Sequence, residues 1–122
     1  MGKRFFTSLG HSARGFAYAM RTERHMRVHV LVFAAVLGGG VLVGSEPIEM
    51  AILLLAAALV IVAELVNTAI ENLTDLEVHG QYHPVARIAK DVAAAAVLFA
   101  ALVSVATGVL VGLRILARWG IL

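Results

Sequence analysis

The chain has 122 residues, of which 61% are hydrophobic, and its mean hydropathy is +0.91. That composition excludes a soluble globular domain of this size and indicates a single domain, residues 1–122, embedded in a membrane. The formal net charge is only +2, and the absence of cysteine excludes disulfides and thiolate metal sites.

The N-terminal stretch, about residues 4–21, has the pattern of an amphipathic helix that lies on a membrane surface. Its apolar side chains fall within about 80° on a helical wheel, opposite basic ones; they are Phe5, Leu9, Ala13, Phe16 and Met20. Glu23 would join that apolar face if the helix continued, so we expect the helix to end near Met20 or Glu23 to face the protein. Six of the ten Lys and Arg residues precede the first apolar run, with no nucleic-acid-binding motif. We therefore expect an anionic lipid surface, and no nucleic acid, as the partner of this stretch.

Three apolar segments are predicted to span the membrane, at about residues 28–44, 48–72 and 92–113. The first contains Gly38 to Gly40, which would allow close helix packing. The third is an uninterrupted uncharged run and gives the clearest signal of the three. The sequence therefore predicts an all-α integral membrane protein with one surface helix and three transmembrane helices.

The second apolar segment carries a polar stripe at its far end. Glu64, Asn67, Glu71 and Asp75 fall within roughly 80° of one another on a helix. At 1.5 Å per residue, Glu64 lies roughly 24 Å below Ile48, near the opposite edge of the hydrocarbon. A carboxylate there costs about 2.5 to 3.5 kcal/mol, which favours a functional role with a partner to be found. Glu71 and Asp75 are like charges one turn apart, so the stripe is expected to need a cation. The alternative, ordinary acids at a helix end that emerges into water, suits Asp75 and Glu71 better than Glu64.

The distribution of charge predicts which side of the membrane each loop occupies. Basic residues precede the first span, and Arg87 and Lys90 follow the second, whereas the 46–49 turn is acidic. This asymmetry places the N-terminus and the second loop in the cytoplasm, although Arg114 and Arg118 oppose that prediction.

The predicted topology collects acidic, amide and basic side chains at one membrane interface, because Glu23, Lys90 and Asp91 join the stripe there. Two carboxylates with open coordination positions suit Mg²⁺ that is shared with substrate phosphates. A lysine can neutralise transferring phosphate oxygens, and a separate carboxylate can accept a proton from an attacking hydroxyl. These residues fit phosphoryl transfer to a lipid alcohol, although the chain has no P-loop or protein-kinase glycine-rich loop.

Two motifs carry a family resemblance. The first is Glu64-x-x-Asn67-Thr68-Ala69-Ile70-Glu71-x-x-x-Asp75, and the second is Ala89-Lys90-Asp91 with the preceding Tyr82-His83. Together they resemble the signature of the small bacterial membrane diacylglycerol kinase and undecaprenol kinase family, and the resemblance covers nearly the whole chain. Arg21-Thr22-Glu23-Arg24 looks more like the undecaprenol kinase branch, which favours undecaprenol over diacylglycerol as the substrate.

The resemblance implies a homotrimer in a bacterial cytoplasmic membrane, with active sites shared between subunits, ATP as co-substrate and Mg²⁺ as cofactor. By resemblance, Glu64 corresponds to the general base, and Glu23 and Glu71 to the carboxylates that bind magnesium-ATP. The other corresponding residues are Asn67, Lys90 and Asp91 at catalytic or nucleotide-binding positions, Tyr82 and His83 in a nucleotide-side loop, and Arg4 and Ser12 on the substrate side. His11 and His29 stand where the better-known diacylglycerol kinase has other residue types.

Two other classes of function stay open at this point. A small proton-coupled transporter could use Glu64 as its carrier carboxylate, and four spans with a midplane acid would favour it. A non-catalytic assembly protein could use the stripe only for helix packing, with Asn67 hydrogen-bonded to a neighbouring span. Lys90 and Asp91 could likewise be a charge pair at the start of a helix, and His25, His29, His79 and His83 interfacial side chains.

Overall fold

The computed structural model describes residues 2–122, with the side chain of Lys3 and all of Met1 outside the described part. The described chain forms four helices, α1 (Gly2–Thr22), α2 (Arg24–Leu42), α3 (Pro47–Val78) and α4 (Pro84–Arg118), and contains no strand. The last three helices are long and apolar enough to cross a membrane. The predicted all-α integral membrane fold is confirmed.

A single residue separates α1 from α2. Glu23 is extended, with φ −100° and ψ 118°, although its N–H still donates to the Ala19 carbonyl at 2.8 Å. The α1 helix therefore ends at Thr22, two residues beyond Met20, and the chain turns at the acidic residue that the sequence analysis singled out. Ala19 is 1% exposed and Met26 is 0% exposed, so this corner is closely packed on both sides of Glu23.

Local chemistry ends one helix and starts the next at the other two connections. Gly44 has a φ of 67° after α2, and His79 and Gly80 have φ values of 48° and 77° after α3, in the left-handed region that often ends a helix. Pro47 and Pro84 each stand in a first helical turn, where a missing N–H costs nothing.

The three long helices form an open layer with α3 in the middle. Helix α3 packs against both α2 and α4, whereas α2 and α4 do not contact each other in the described chain. Small buried side chains, among them Ala57, Ala93 and Ala100, allow α3 and α4 to approach closely. Large apolar side chains elsewhere on the spans are exposed, as hydrocarbon-facing residues of a membrane protein would be.

Helices α3 and α4 extend beyond the hydrocarbon. With 32 and 35 residues they are about 48 and 52 Å long, against a core of about 30 Å. Asp75 near the end of α3 and Lys90 near the start of α4 therefore belong to a hairpin that reaches the interface.

The opposite end of α3 and α4 is held together by ion pairs. Glu49, only 2% exposed, lies 3.1 Å from both Arg114 and Arg118, and Arg118 also lies 2.9 Å from Glu46. Arg118 further donates to the Gly44 carbonyl at 2.9 Å. The two arginines that opposed the predicted orientation are thus neutralised by carboxylates of the same chain.

Candidate functional site

The polar stripe of α3 lies inside the fold over its first half. Glu64 is 3% exposed, Asn67 8% and Thr68 5%, in a helix whose other buried side chains near this level are apolar. The Thr68 hydroxyl donates to the Glu64 backbone carbonyl at 2.9 Å, which satisfies that hydroxyl within the helix. Asn67 donates its amide to the Glu71 carboxylate at 3.3 Å. Asn67 and Glu71 are therefore linked along the one helix face on which the sequence placed them, as residues four apart can be.

The Glu64 carboxylate is buried without a cation beside it. It makes no ion pair within 4.0 Å among the described residues. The side chains that act on it electrostatically come from two parts of the fold and are His29, His25, Glu23 and Glu71. The Glu23 corner therefore lies within electrostatic range of the α3 stripe.

His29 belongs to the inward face of α2. It stands three residues after the fully buried Met26 and is itself half-buried, whereas His25 is exposed. No motif pointed to His29 as a neighbour of Glu64, because that relation depends on how α2 packs against α3.

An acceptor oxygen next to Glu64 and Glu71 has no partner. The Asn67 Oδ1 atom is buried and makes no hydrogen bond within the described chain. A buried carbonyl oxygen in this state costs roughly 1 to 3 kcal/mol, so it suits an added donor or a hard cation.

Lys90 reaches the stripe from α4. Its Nζ lies 2.5 Å from the Asp75 carboxylate, so the cation that the stripe predicted is supplied by the neighbouring helix. Asp91 instead faces Arg87, 3.9 Å away and one turn earlier on an exposed face of α4. The two adjacent residues of the second motif therefore have different partners.

The predicted nucleotide-side residues share one groove. A surface groove of about 340 Å³ at the α3–α4 hairpin is lined by Tyr82, His83, Lys90 and Asp91 together with Asp75. It adjoins a cavity of about 520 Å³ that Tyr82 and His83 also line. His83 has a structural role as well, because its Nδ1 accepts from the Val85 N–H at 3.2 Å and caps α4.

The predicted substrate-side residues of α1 lie far from the stripe. Arg4 is exposed and lines a small groove on α1 with His11, and Ser12 donates to the Ser8 carbonyl at 3.2 Å. At 1.5 Å per residue, Arg4 is about 28 Å and Ser12 about 16 Å along the helix from Glu23. Within the described chain, neither contacts the stripe.

A magnesium ion at this site would need ligands from a substrate. No group of three or more His, Asp and Glu side chains in the described residues could hold a metal by itself. Mg²⁺ commonly uses one or two carboxylates plus phosphate oxygens and water, which two carboxylates such as Glu23 and Glu71 can satisfy.

Comparison with known proteins identifies the family. The family model described as prokaryotic diacylglycerol kinase matches residues 10–112. A diacylglycerol kinase of Synechocystis sp. is 45% identical over 94 residues, covering 77% of this chain and 54% of that relative, so the match spans about half of the longer protein. An undecaprenol kinase of Bacillus subtilis is 42% identical over 108 residues, covering 88% of this chain and 87% of the relative. A diacylglycerol kinase of Pseudomonas aeruginosa is 33% identical over 94 residues, covering 77% and 76%. This chain belongs to the prokaryotic diacylglycerol kinase family.

Proposed function

We propose that this protein is an integral-membrane lipid kinase that transfers the γ-phosphate of ATP to the hydroxyl of a membrane lipid alcohol. The observation that carries the proposal is the Glu64 carboxylate, 3% exposed and without an ion pair among the described residues, in an apolar helix. Such a group is costly in a membrane and is retained where it has chemistry to perform. Membership of the prokaryotic diacylglycerol kinase family supports the same class of reaction.

In this proposal Glu64 is the general base. Its depth, near the hydrocarbon edge, would let it meet a lipid hydroxyl while the head group remains at the surface. The carboxylate would take the hydroxyl proton as the oxygen attacks the γ-phosphorus, and the bond to the ADP leaving group would break. Asn67, one turn further along α3, would hold the Glu71 carboxylate in place through the amide hydrogen bond that it donates at 3.3 Å.

The charged residues nearer the surface would bind the nucleotide. Glu23 and Glu71 would hold Mg²⁺, which when bound neutralises charge on the phosphate oxygens. Lys90, presented on the stripe by Asp75, would contact the transferring phosphate, and the groove lined by Tyr82, His83 and Asp91 would receive the rest of the nucleotide. Arg4 and Ser12 would meet the lipid at the membrane surface.

The lipid acceptor is proposed to be undecaprenol, with diacylglycerol as the second candidate. Arg21-Thr22-Glu23-Arg24, at the corner that carries Glu23, favours undecaprenol. The comparisons are compatible with both, because relatives of similar identity are an undecaprenol kinase and a diacylglycerol kinase.

The proposed assembly is a homotrimer with shared active sites. The open layer of helices supports it. One edge of α3 carries Glu64, Asn67 and Glu71, and α2 and α4 do not contact each other in the described chain, so they do not close the layer over α3. A second subunit could complete the wall of the site there.

The proposed orientation has the N-terminus and the α3–α4 hairpin in the cytoplasm, where ATP is available. Neutralisation of Arg114 and Arg118 by Glu46 and Glu49 supports it, since those arginines then add no net positive charge to the outer end.

The transporter alternative is less well supported. Four spans would favour a transporter, whereas three helices of the described chain qualify as spans.

The proposal is tested by offering the purified protein Mg²⁺ and labelled ATP with undecaprenol or diacylglycerol in separate vesicles. Faster transfer of label to undecaprenol than to diacylglycerol is the expected result. Folded protein that labels neither lipid would refute the kinase, and proton uptake by the same vesicles would then favour the transporter.

A further inference from the structure

One contact joins the surface helix to the middle of the fold at the site. The Tyr18 hydroxyl donates to the Asn72 side-chain carbonyl at 3.1 Å, across 54 residues of sequence. Tyr18 belongs to the last turn of α1, and Asn72 directly follows Glu71 on α3. The contact thus lies beside one proposed magnesium carboxylate and five residues before the other.

We propose that Tyr18 is a positioning residue, and that its hydrogen bond to Asn72 holds the α1–α2 corner, and with it Glu23, against α3. The inference rests on the proposed function for its consequence in catalysis, but the mechanical link itself can be tested without activity.

The burial of α1 explains why a single bond matters. Within the described part of α1, Ala19 is the one buried residue, at 1% exposure, and the first half of the helix is exposed. The helix is therefore attached to the rest of the subunit through its last turn, the turn that carries Tyr18. The backbone carbonyl of Tyr18 also accepts from the Thr22 hydroxyl at 3.0 Å, which ties the end of α1 to the same turn.

The helical backbone connects Tyr18 directly to Glu23. The Glu23 N–H still donates to the Ala19 carbonyl, so the helical backbone continues rigidly from Tyr18 to Glu23, about 7.5 Å along the axis. Glu23 itself is half-buried, and its side chain does not cap α2. Among the described residues, no side-chain bond therefore fixes the Glu23 carboxylate. Its place relative to Glu71 depends on neighbouring contacts, among which the Tyr18–Asn72 hydrogen bond joins α1 to α3.

The expected effect is on magnesium-nucleotide affinity more than on turnover. Without the bond, the corner would be detached from α3 for a larger fraction of the time. The apparent affinity for magnesium-ATP would then fall in proportion to the fraction of subunits that remain competent to bind it. A neutral hydrogen bond of this kind changes such a ratio by about 2- to 10-fold. Bound magnesium-ATP would bring Glu23 back, so the rate at saturation should change little.

The experiment compares Tyr18→Phe, Asn72→Ala and the double variant with the parent. We expect the KM for magnesium-ATP to rise about 2- to 10-fold in each single variant. We expect no further rise in the double variant, because the two changes remove the same bond. Thr107→Val is the matched control, since Thr107 loses a hydroxyl that bonds only the Val103 carbonyl of its own helix, at 2.8 Å.

Hydrogen exchange supplies the readout that needs no kinase activity. Amides of residues 17–24 should exchange faster in Tyr18→Phe and in Asn72→Ala, and at the parent rate in Thr107→Val. Parent-like exchange in both site variants, or effects on KM that multiply in the double variant, would overturn the positioning role. Faster exchange in both site variants, together with a parent protein that labels no lipid, would uphold the link and refute the kinase.

Discussion

Replacement of Lys90 separates its two roles, as an ion-pair partner in folding and as a cation for the transferring phosphate. The Lys90 and Asp75 side chains are 35% and 63% exposed, and their charged atoms are 2.5 Å apart. Exposed pairs contribute about 0.2 to 1 kcal/mol to stability, so Lys90→Ala should unfold at nearly the parent denaturant concentration. A donor aimed at charge that develops in the transition state is worth far more, and its removal lowers turnover by about 10² to 10³.

The Asp75–Lys90 ion pair also predicts a smaller loss of activity when Asp75 is replaced. Asp75→Asn keeps the shape of the side chain but loses the ion pair that holds Lys90 on the stripe. If orientation of Lys90 is worth the whole of that pair, about 1 kcal/mol at most, lipid phosphorylation should fall by about fivefold or less. Arg27→Met is the control, because it removes an exposed cation of α2 and leaves the Asp75–Lys90 pair intact.

The assay is initial-rate transfer of labelled phosphate to lipid in vesicles at saturating lipid, with unfolding followed in parallel. The order parent, Asp75→Asn, Lys90→Ala is expected for the rates. Lys90→Ala protein that is folded and transfers phosphate at the parent rate would refute a phosphate-binding role for this lysine. A larger loss in Asp75→Asn than in Lys90→Ala would instead show that Asp75 acts on the substrate itself.

Three further sets of substitutions test other parts of the structure and the proposal. Glu64→Gln should fold, bind ATP nearly as the parent does, and turn over about 10² to 10⁴ more slowly, the usual range for general-base assistance; a parent rate would mean that the base is elsewhere or that the loose transition state needs none. Glu23→Ala and Glu71→Ala should each weaken magnesium-nucleotide binding in a calorimetric titration, because each removes a carboxylate from a site with few protein ligands; unchanged affinity in both would assign them to structure. Arg118→Ala should lower the thermal midpoint by about 5 °C or more and by more than Arg114→Ala. Both arginines contact Glu46 and Glu49, but Arg118 is less exposed and also donates to the Gly44 carbonyl. Parent-like midpoints in both variants would show that these ion pairs do not stabilise that end of the fold.

Much of the architecture could be predicted from the sequence because it depends on short-range patterns. Apolar runs of sufficient length predict spans whatever their neighbours are, since the bilayer requires each to satisfy its own backbone. The 3.6-residue period was enough to place Glu64, Asn67 and Glu71 on one face, and the Asn67–Glu71 hydrogen bond follows from the same spacing. The family resemblance also depended on local motifs, and the family comparison confirmed it.

The ion pairs between helices could not be predicted from the sequence, because they depend on how the helices pack. The stripe predicted a cation for its acids, but only the contact between α3 and α4 decided that Lys90 meets Asp75 while the adjacent Asp91 meets Arg87. Likewise, Arg114 and Arg118 appeared in the sequence as exceptions to the charge asymmetry, and the tertiary structure brought them to Glu46 and Glu49 some 65 or more residues away. The sequence by itself determined which residues are polar within an apolar chain and on which helix face they lie. The packing of α3 against its neighbours decided which of those charges are paired, and it buried Glu64 without an ion pair among the described residues.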